Sequence, residues 1–252
     1  MNNSSKYKIV GKITPRVDAE KLSRGDAAFS DDIDFRELLH ARVLRSPHAH
    51  ARIVSIDKSR ATALEGVHAV LTHEDLPRIP HTTAGQGWPE PSPYDAYVLD
   101  NKVRFVGDRV AAVAAETPEI AEKACSLIDV KYELLESIFD PADSAKEGSV
   151  VIHDEEESSG IYDKSTNTAS HLEASYGDVE KAFKNAYKII EADYEVGYVQ
   201  QSSIEPHVCL TWIDEDGRLV IRSSTQVPFH VRRIVAKVLD IPVRKYVSRN
   251  RG

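Results

Sequence analysis

Residues 77–97 interrupt the pattern on both sides of them. Between Pro77 and Tyr94 lie five prolines and two glycines. Proline has no N–H to give a ladder, and its ring clashes with the preceding helical turn. The stretch is therefore neither a helix nor a central strand. A loop this long inside a folded region is either functional or poorly ordered. Trp88 and Tyr94 give it apolar surface to pack, which favours an ordered loop. The fold must be assembled from the segments on either side.

Those segments alternate between strand and helix periods. Strand-like text runs from Leu38 to Ile56, broken by the basic, histidine-containing turn Arg45-Ser-Pro-His-Ala-His50. Leu39, Ala41 and Val43 alternate with His40, Arg42 and Leu44, which predicts a strand with at least one buried face. A short helical patch from Ser59 to Leu64 is closed by Gly66, and Val67–Leu71 predicts a buried strand. Lys102 to Ala115 predicts two strands around a Gly107-Asp108 turn. Thr117-Pro118-Glu119 is a helix start, with a capping hydroxyl, proline at the first helical position and then an acid. Ile120, Ala121, Ala124, Leu127 and Ile128 share one face of that helix, and Val130, Tyr132 and Leu134 alternate as the next strand.

A polar connector follows over 141–170. Glu155-Glu156-Glu157 within it reads as a solvated segment rather than a metal site. Beyond it, Asp178 caps a short helix bearing Val179, Ala182 and Phe183. A long strand is expected next, with Ile190, Ala192, Tyr194 and Val196 on one face. Val208–Ile213 and Arg218–Ser223 predict a hairpin around Asp214–Gly217, and a helix begins near Pro228. The chain thus divides into a tail (1–15), a first domain (16–140), the connector (141–170) and a second domain (171–252).

The pattern reads as α+β, and the composition is that of a globular protein. The 252 residues are 41% hydrophobic and 29% charged, enough for one large domain or two smaller ones. No run of 18 apolar residues exists to span a membrane, and Met1 to Lys8 lacks the apolar core of a secretory signal. With 32 basic against 40 acidic residues, the net charge of −8 argues against a dedicated nucleic-acid binder. Cys125 and Cys209 are too few for a disulfide framework or a four-cysteine metal site. Both are expected to be buried and reduced, as in a cytoplasmic protein.

Three places could do chemistry. His48 and His50 would point to one face of a strand, as two metal ligands would, but no third ligand has matching spacing and Arg45 and Arg52 would repel a cation. The bland reading, a surface or interface turn, is favoured. Glu205-Pro206-His207 offers a carboxylate and an imidazole, for which a structural hydrogen-bonding role is favoured over acid–base work. At Ser223–Pro228 a strand hands over to a helix whose first amides are unpaired and partly positive. Gln226 stands just before that start. Its amide can hold a ligand oxygen, or it can cap the helix, which is the reading the residues alone favour. Walker, Rossmann, zinc and nucleophile-elbow patterns are lacking.

Several long motifs carry a resemblance. Leu39-His-Ala-Arg-Val-Leu-Arg-Ser-Pro-His-Ala-His-Ala-Arg-Ile53 and Val103-Arg-Phe-Val-Gly-Asp-Arg-Val-Ala-Ala-Val-Ala-Ala-Glu-Thr117 resemble the opening a/b hammerhead domain of the xanthine dehydrogenase and aldehyde oxidase family, the molybdenum hydroxylases. Ile204-Glu-Pro-His207 and Ser224-Thr-Gln-Val-Pro228 resemble the start of the molybdopterin-binding domain that follows. The loop from His81 to Asp95 resembles bacterial xanthine dehydrogenase molybdenum subunits in particular. The likeness runs from about Ile9 to Val243 and implies an a/b hammerhead domain followed by the truncated start of a molybdopterin-binding domain.

The resemblance implies more than fold. The matching glutamine, Gln226, would contact the oxo-ligand side of a molybdenum–molybdopterin cofactor, with the cytosine dinucleotide as a bacterial form of it. The family's reaction hydroxylates an electron-poor carbon such as one of hypoxanthine or xanthine. Water supplies the oxygen, and electrons pass to iron–sulfur and FAD partner subunits. The family's glycine-rich metal loop, its substrate arginine and glutamate and its base glutamate lie further on than Gly252, and none is present here. No catalytic residue and no protein metal ligand is therefore assigned. The chain is expected to be inactive by itself and prone to self-association through unpaired edges and apolar faces. Other readings are a non-catalytic assembly module, or part of a family member acting on an aldehyde, carbon monoxide or an aromatic thioester.

Overall fold

The computed structural model describes residues 7–83, 87, 90, 92–205 and 207–249, the last three by backbone alone. In chain order the elements are α1 (Ala19–Arg24), β1 (His40–Arg45), β2 (Ala51–Asp57), α2 (Ser59–Thr62), β3 (Val67–Leu71), β4 (Lys102–Val103), β5 (Arg109–Ala115), α3 (Pro118–Ser126), β6 (Asp129–Leu134), α4 (Pro141–Ser144), α5 (Val179–Asn185), β7 (Cys209–Ile213), β8 (Leu219–Ser223), α6 (Pro228–Val238) and β9 (Tyr246–Arg249). They fall into two compact units. One comprises residues 39–206 with 237–240, the other residues 1–38, 207–236 and 241–252.

The larger unit holds two three-stranded antiparallel sheets, ordered β1-β5-β3 and β4-β2-β6. Strands adjacent in sequence thus part company. β1 joins the first sheet and β2 the second, and the same separation splits β4 from β5. Pro47, which has no N–H, sits in the bend between β1 and β2. That bend is tied across to the other turn, where Ser46 N donates to Asp108 O at 2.8 Å and Gly107 N to Ser46 O at 2.8 Å.

Alternation sets the core. Val110 faces Ala51, Ile53 and Val103, whereas Ala111, Val113 and Ala115 face Ala121 and Ala124 of α3. Alanine on both sides lets helix and sheet approach closely, and Leu44, Ile56 and Val130 touch both clusters. The α3 start is as expected. Thr117 Oγ1 accepts from Ile120 N at 3.3 Å and Pro118 opens the helix. Gly66 has a φ of +83°, and a Cβ there would lie 2.8 Å from Ile120 Cδ1, so that turn needs glycine. In β1 the face of His40 and Leu44 is the more covered one. Leu44 and His40 are half-buried while Leu39 and Val43 point outward.

The proline-rich loop is anchored where it is described. His81 and Ala96 exchange backbone hydrogen bonds at 2.9 and 3.0 Å, and Tyr94 pairs with Ser159. Tyr94 Oη donates to Glu90 Oε2 at 2.6 Å. Trp88, the other proposed anchor, lies outside the described residues. The connector also departs from expectation. Asn167, in a left-handed conformation with φ of +52°, fastens three backbone groups. Its Oδ1 accepts from Ile152 N at 2.8 Å, and its Nδ2 donates to Val150 O at 2.9 Å and Ser144 O at 3.2 Å. The segment 150–168 is a strap fixed to the unit, not a loose linker.

Asp178 caps α5 by accepting from Lys181 N at 2.9 Å. The long strand expected after it does not form. Residues 188–200 belong to no helix or strand, and Ile190, Tyr194 and Val196 are exposed. The alternation is there, but no strand among the described residues pairs with it, and alternation alone cannot satisfy a backbone.

In the smaller unit, β7 and β8 form the predicted hairpin, and β9 adds parallel to β8. Leu210, Val220, Ala236 and Tyr246 are buried, and Phe35 packs on Trp212 at 5.4 Å between ring centroids. The period of two that buries Leu210 turns Cys209 outward, so Cys209 is exposed rather than in the core. Cys125 is half-buried at the margin of the α3 face, where burial raises its thiol pKa.

Candidate functional site

The strand-to-helix junction is formed as the sequence predicts. β8 ends at Ser223 and α6 begins at Pro228, with its first turn closed by Val231 N donating to Val227 O at 3.1 Å. Proline brings no N–H, and amides ahead of Val231 have no acceptor within the helix. Thr225 Oγ1 accepts from Val227 N at 3.1 Å, a tight side-chain turn just ahead of the helix. Gln226 itself is exposed, its amide free to reach outward. The junction offers hydrogen-bond donors. Among the described residues no group of three or more His, Cys, Asp or Glu side chains is arranged to hold a metal ion. The exposed Gln226 amide and the unpaired first amides of α6 are donors of the kind that a metal carried on its own organic ligand would need.

The histidine and Glu205-Pro206-His207 candidates resolve differently. His48 and His50 lie in a bend, not on a strand, so the same-face argument lapses. His48 stands edge-on to Tyr132 at 4.8 Å, while His50 is buried, so the surface-turn reading holds only for the bend and not for this ring. His50 Nδ1 lies 2.6 Å from Glu136 O. A carbonyl only accepts, so Nδ1 carries the proton and Nε2 is a bare acceptor. Burial lowers the His50 pKa and outweighs the Glu136 hydrogen bond, keeping the ring neutral. Glu205 is half-buried and His207 exposed, with Pro206 outside the described residues.

The sequence reading missed a charged centre in the larger unit. The Lys102 side chain is 2% exposed; its Nζ donates to Ile152 O at 2.6 Å and to Asp154 Oδ1 at 2.7 Å. Arg104 Nη2 bonds Asp100 Oδ2 at 2.9 Å and also Glu155 Oε1. Arg52 Nη2 reaches Asp154 Oδ2 at 2.5 Å, and Arg78 joins Asp100 and Glu157 while lying over the Tyr97 ring. Glu155 is therefore not solvated. Its side chain is 7% exposed, whereas Glu156 and Glu157 face water as expected. Burial alone would raise its carboxyl pKa, but the adjacent His153 and Arg104 outweigh that and hold it far below the ordinary 4.5. Asp154 is likewise held down, with Lys102 and Arg52 overcoming burial. Four cations (Arg52, Arg78, Lys102, Arg104) meet four carboxylates (Asp100, Asp154, Glu155, Glu157), so the cluster closes on itself as a clamp for the strap. The only sequence sign was the basic pair Lys102 and Arg104 flanking Val103.

Two cavities adjoin this clamp. One of about 150 Å³ is lined by Asp95, Tyr97, Asp100, Arg104, Asp108 and His153 among others. The second, of about 250 Å³, lies between the His50 bend, the 104–106 turn and the start of the strap.

Comparison with known proteins gives the junction and the sheets a context. Residues 24–136 match the family model "Aldehyde oxidase and xanthine dehydrogenase, a/b hammerhead domain", and residues 161–251 match "Molybdopterin cofactor-binding domain". The probable hypoxanthine oxidase of Escherichia coli O157:H7 is 38% identical over 264 residues, covering 94% of this chain and 28% of the relative. The xanthine dehydrogenase molybdenum-binding subunit of the same organism is 35% identical over 231 residues, covering 90% of this chain and 29% of the relative. The aldehyde oxidoreductase structure from Desulfovibrio desulfuricans ATCC 27774 superposes with a TM-score of 0.77 at 25% identity, covering 96% of this chain and 27% of that one. The chain thus spans under a third of the length of these relatives. With both family models matched in tandem order, it belongs to the aldehyde oxidase and xanthine dehydrogenase family, as an a/b hammerhead domain followed by the start of a molybdopterin cofactor-binding domain.

Proposed function

We propose that these residues contribute to the molybdenum subunit of a xanthine dehydrogenase-like hydroxylase acting on hypoxanthine or xanthine in the cytoplasm. The observation that supports this reading best is the tandem match of both domains, together with relatives named for purine oxidation at 38% and 35% identity. When bound, a molybdopterin cofactor, in bacteria also as its cytosine dinucleotide, supplies the redox chemistry of hydroxylation with water as oxygen source. The chain's own part is recognition. Gln226, exposed between β8 and α6, donates its amide N–H groups to oxygens of the cofactor, and the electropositive start of α6 favours the same partner. Iron–sulfur and FAD subunits take the electrons.

The 252-residue chain by itself is expected to oxidise no purine. The chain purified from molybdate-replete cells is expected to hold molybdenum well below one equivalent and to reduce no dye with xanthine. Stoichiometric molybdenum with xanthine oxidation would contradict this reading. Capture of iron–sulfur and FAD subunits by a chain that never acquires cofactor in any context would favour an assembly module instead.

A further inference from the structure

Gln226 is the middle residue of a closed turn. Before it, Ser223 ends β8 and pairs with Cys209 of β7. After it, both backbone groups of Val227 are engaged. The Val227 N–H donates to Thr225 Oγ1 at 3.1 Å, and its carbonyl accepts from Val231 N at 3.1 Å in the first turn of α6. The Thr225 bond closes a ring that runs through the backbone of Gln226, so φ and ψ of Gln226 cannot swing far without breaking it. The branched Cβ of Thr225 limits its χ1 and helps keep the hydroxyl in place. This bond belongs to neither the β7–β8 ladder nor α6, so its loss leaves both elements their own hydrogen bonds. Gln226 is exposed, and the direction in which its side chain leaves the surface is set by that backbone.

We infer that Thr225 is a positioning residue: its hydroxyl fixes the backbone of Gln226 and so aims the Gln226 amide at the cofactor oxygen. Thr225 touches neither cofactor nor substrate in this role. The inference rests on the proposed contact of Gln226 with the cofactor and adds to it the group that directs the contact. A long amide side chain on a loose turn must give up backbone freedom as well as its own rotamers when it binds, whereas on a closed turn only the rotamers are lost. A hydrogen bond made at a reacting centre also depends steeply on aim, since a misplacement of about 1 Å is enough to slow the chemistry.

Two variants separate the hydroxyl from the shape. Thr225→Val keeps the branched side chain and loses the acceptor, whereas Thr225→Ser keeps the acceptor. In the full chain, nitrogen NMR relaxation is expected to show the Gln226 backbone amide falling from an order parameter of about 0.85 towards about 0.6 in Thr225→Val and staying near the parent value in Thr225→Ser. An unchanged order parameter in Thr225→Val overturns the proposal. The consequence is read with this chain grafted in place of the matching stretch of the probable hypoxanthine oxidase of Escherichia coli O157:H7. Thr225→Val should lower kcat per molybdenum about tenfold with KM unchanged, and Thr225→Ser should restore it. In a Gln226→Ala background, Thr225→Val should have no further effect, because the residue it acts through is gone. Additive losses would show an effect that bypasses Gln226 and overturn the proposal. A Gln226→Ala graft at full rate would instead refute the cofactor contact on which the inference rests, and the two failures are told apart because the relaxation result involves no cofactor.

Discussion

Removing the Glu155 carboxylate leaves Arg104 facing a single acid, Asp100, and takes an acceptor from beside the almost fully buried Lys102. Breaking a buried pair from one side strands a desolvated charge. Glu155→Ala should therefore destabilise the larger unit by about 3 kcal/mol, whereas Glu156→Ala next to it should change stability by less than about 0.5 kcal/mol. Urea unfolding of the two variants measures the difference. The same residues set the response to acid. His50 and His81 have depressed pKa values because burial disfavours their charged forms. The unfolded chain takes up those protons near the ordinary 6.5 while the folded chain resists, so stability starts to fall as pH drops below that value. Glu155 and Asp154 are held below the ordinary carboxylate range. Their contribution is complete above about 4.5 and is lost as pH falls through the folded values. Unfolding midpoints followed from pH 8 to pH 3 should decline in two stages. A flat profile down to pH 5 would contradict the histidine part.

At the scale of elements, local signals were legible and distant partners were not. The α3 start could be read because its cap, its proline and its apolar period all lie within a dozen residues. Thr117→Ala should accordingly cost about 1 kcal/mol. Gly66→Ala should cost about 1–2 kcal/mol from the left-handed backbone, and thermal unfolding checks both. The parting of β1 from β2 into different sheets was hidden, since both strands look alike and only pairing with β5 or β6 tells them apart. The strap was hidden for the same reason. Glu155 reads as solvated until Arg104, 51 residues earlier in sequence, is placed against it. Lys102→Met should release the strap, since Ile152 O and Asp154 lose their shared donor. Proteolysis within 150–168 should then speed up by about tenfold, while cleavage elsewhere in the unit stays slow. The Gln226 junction sat between these cases. Its place between strand and helix was readable, but that the chain would turn on Thr225 and leave Gln226 exposed was not.

The whole molecule carries apolar surface that its own described residues do not cover. Tyr187, Ile190, Tyr194, Val196 and Tyr198 are each more than 80% exposed along one segment that pairs with no strand. Such a segment invites strand pairing. The isolated chain should therefore associate with increasing concentration in sedimentation experiments, and the Tyr194→Lys, Val196→Lys pair should reduce that association without lowering the unfolding midpoint of the larger unit. The proposed meeting of Gln226 with a molybdenum cofactor is open to a functional test. This chain replaces the matching stretch of the probable hypoxanthine oxidase of Escherichia coli O157:H7, and the graft is compared with its Gln226→Ala form. We expect the graft to purify with molybdenum and to reduce dye with hypoxanthine, and the Gln226→Ala form to lose at least about tenfold in rate per molybdenum, the equivalent of one hydrogen bond made at the reacting centre. A graft that folds without molybdenum, or a Gln226→Ala form with an unchanged rate, would contradict the account.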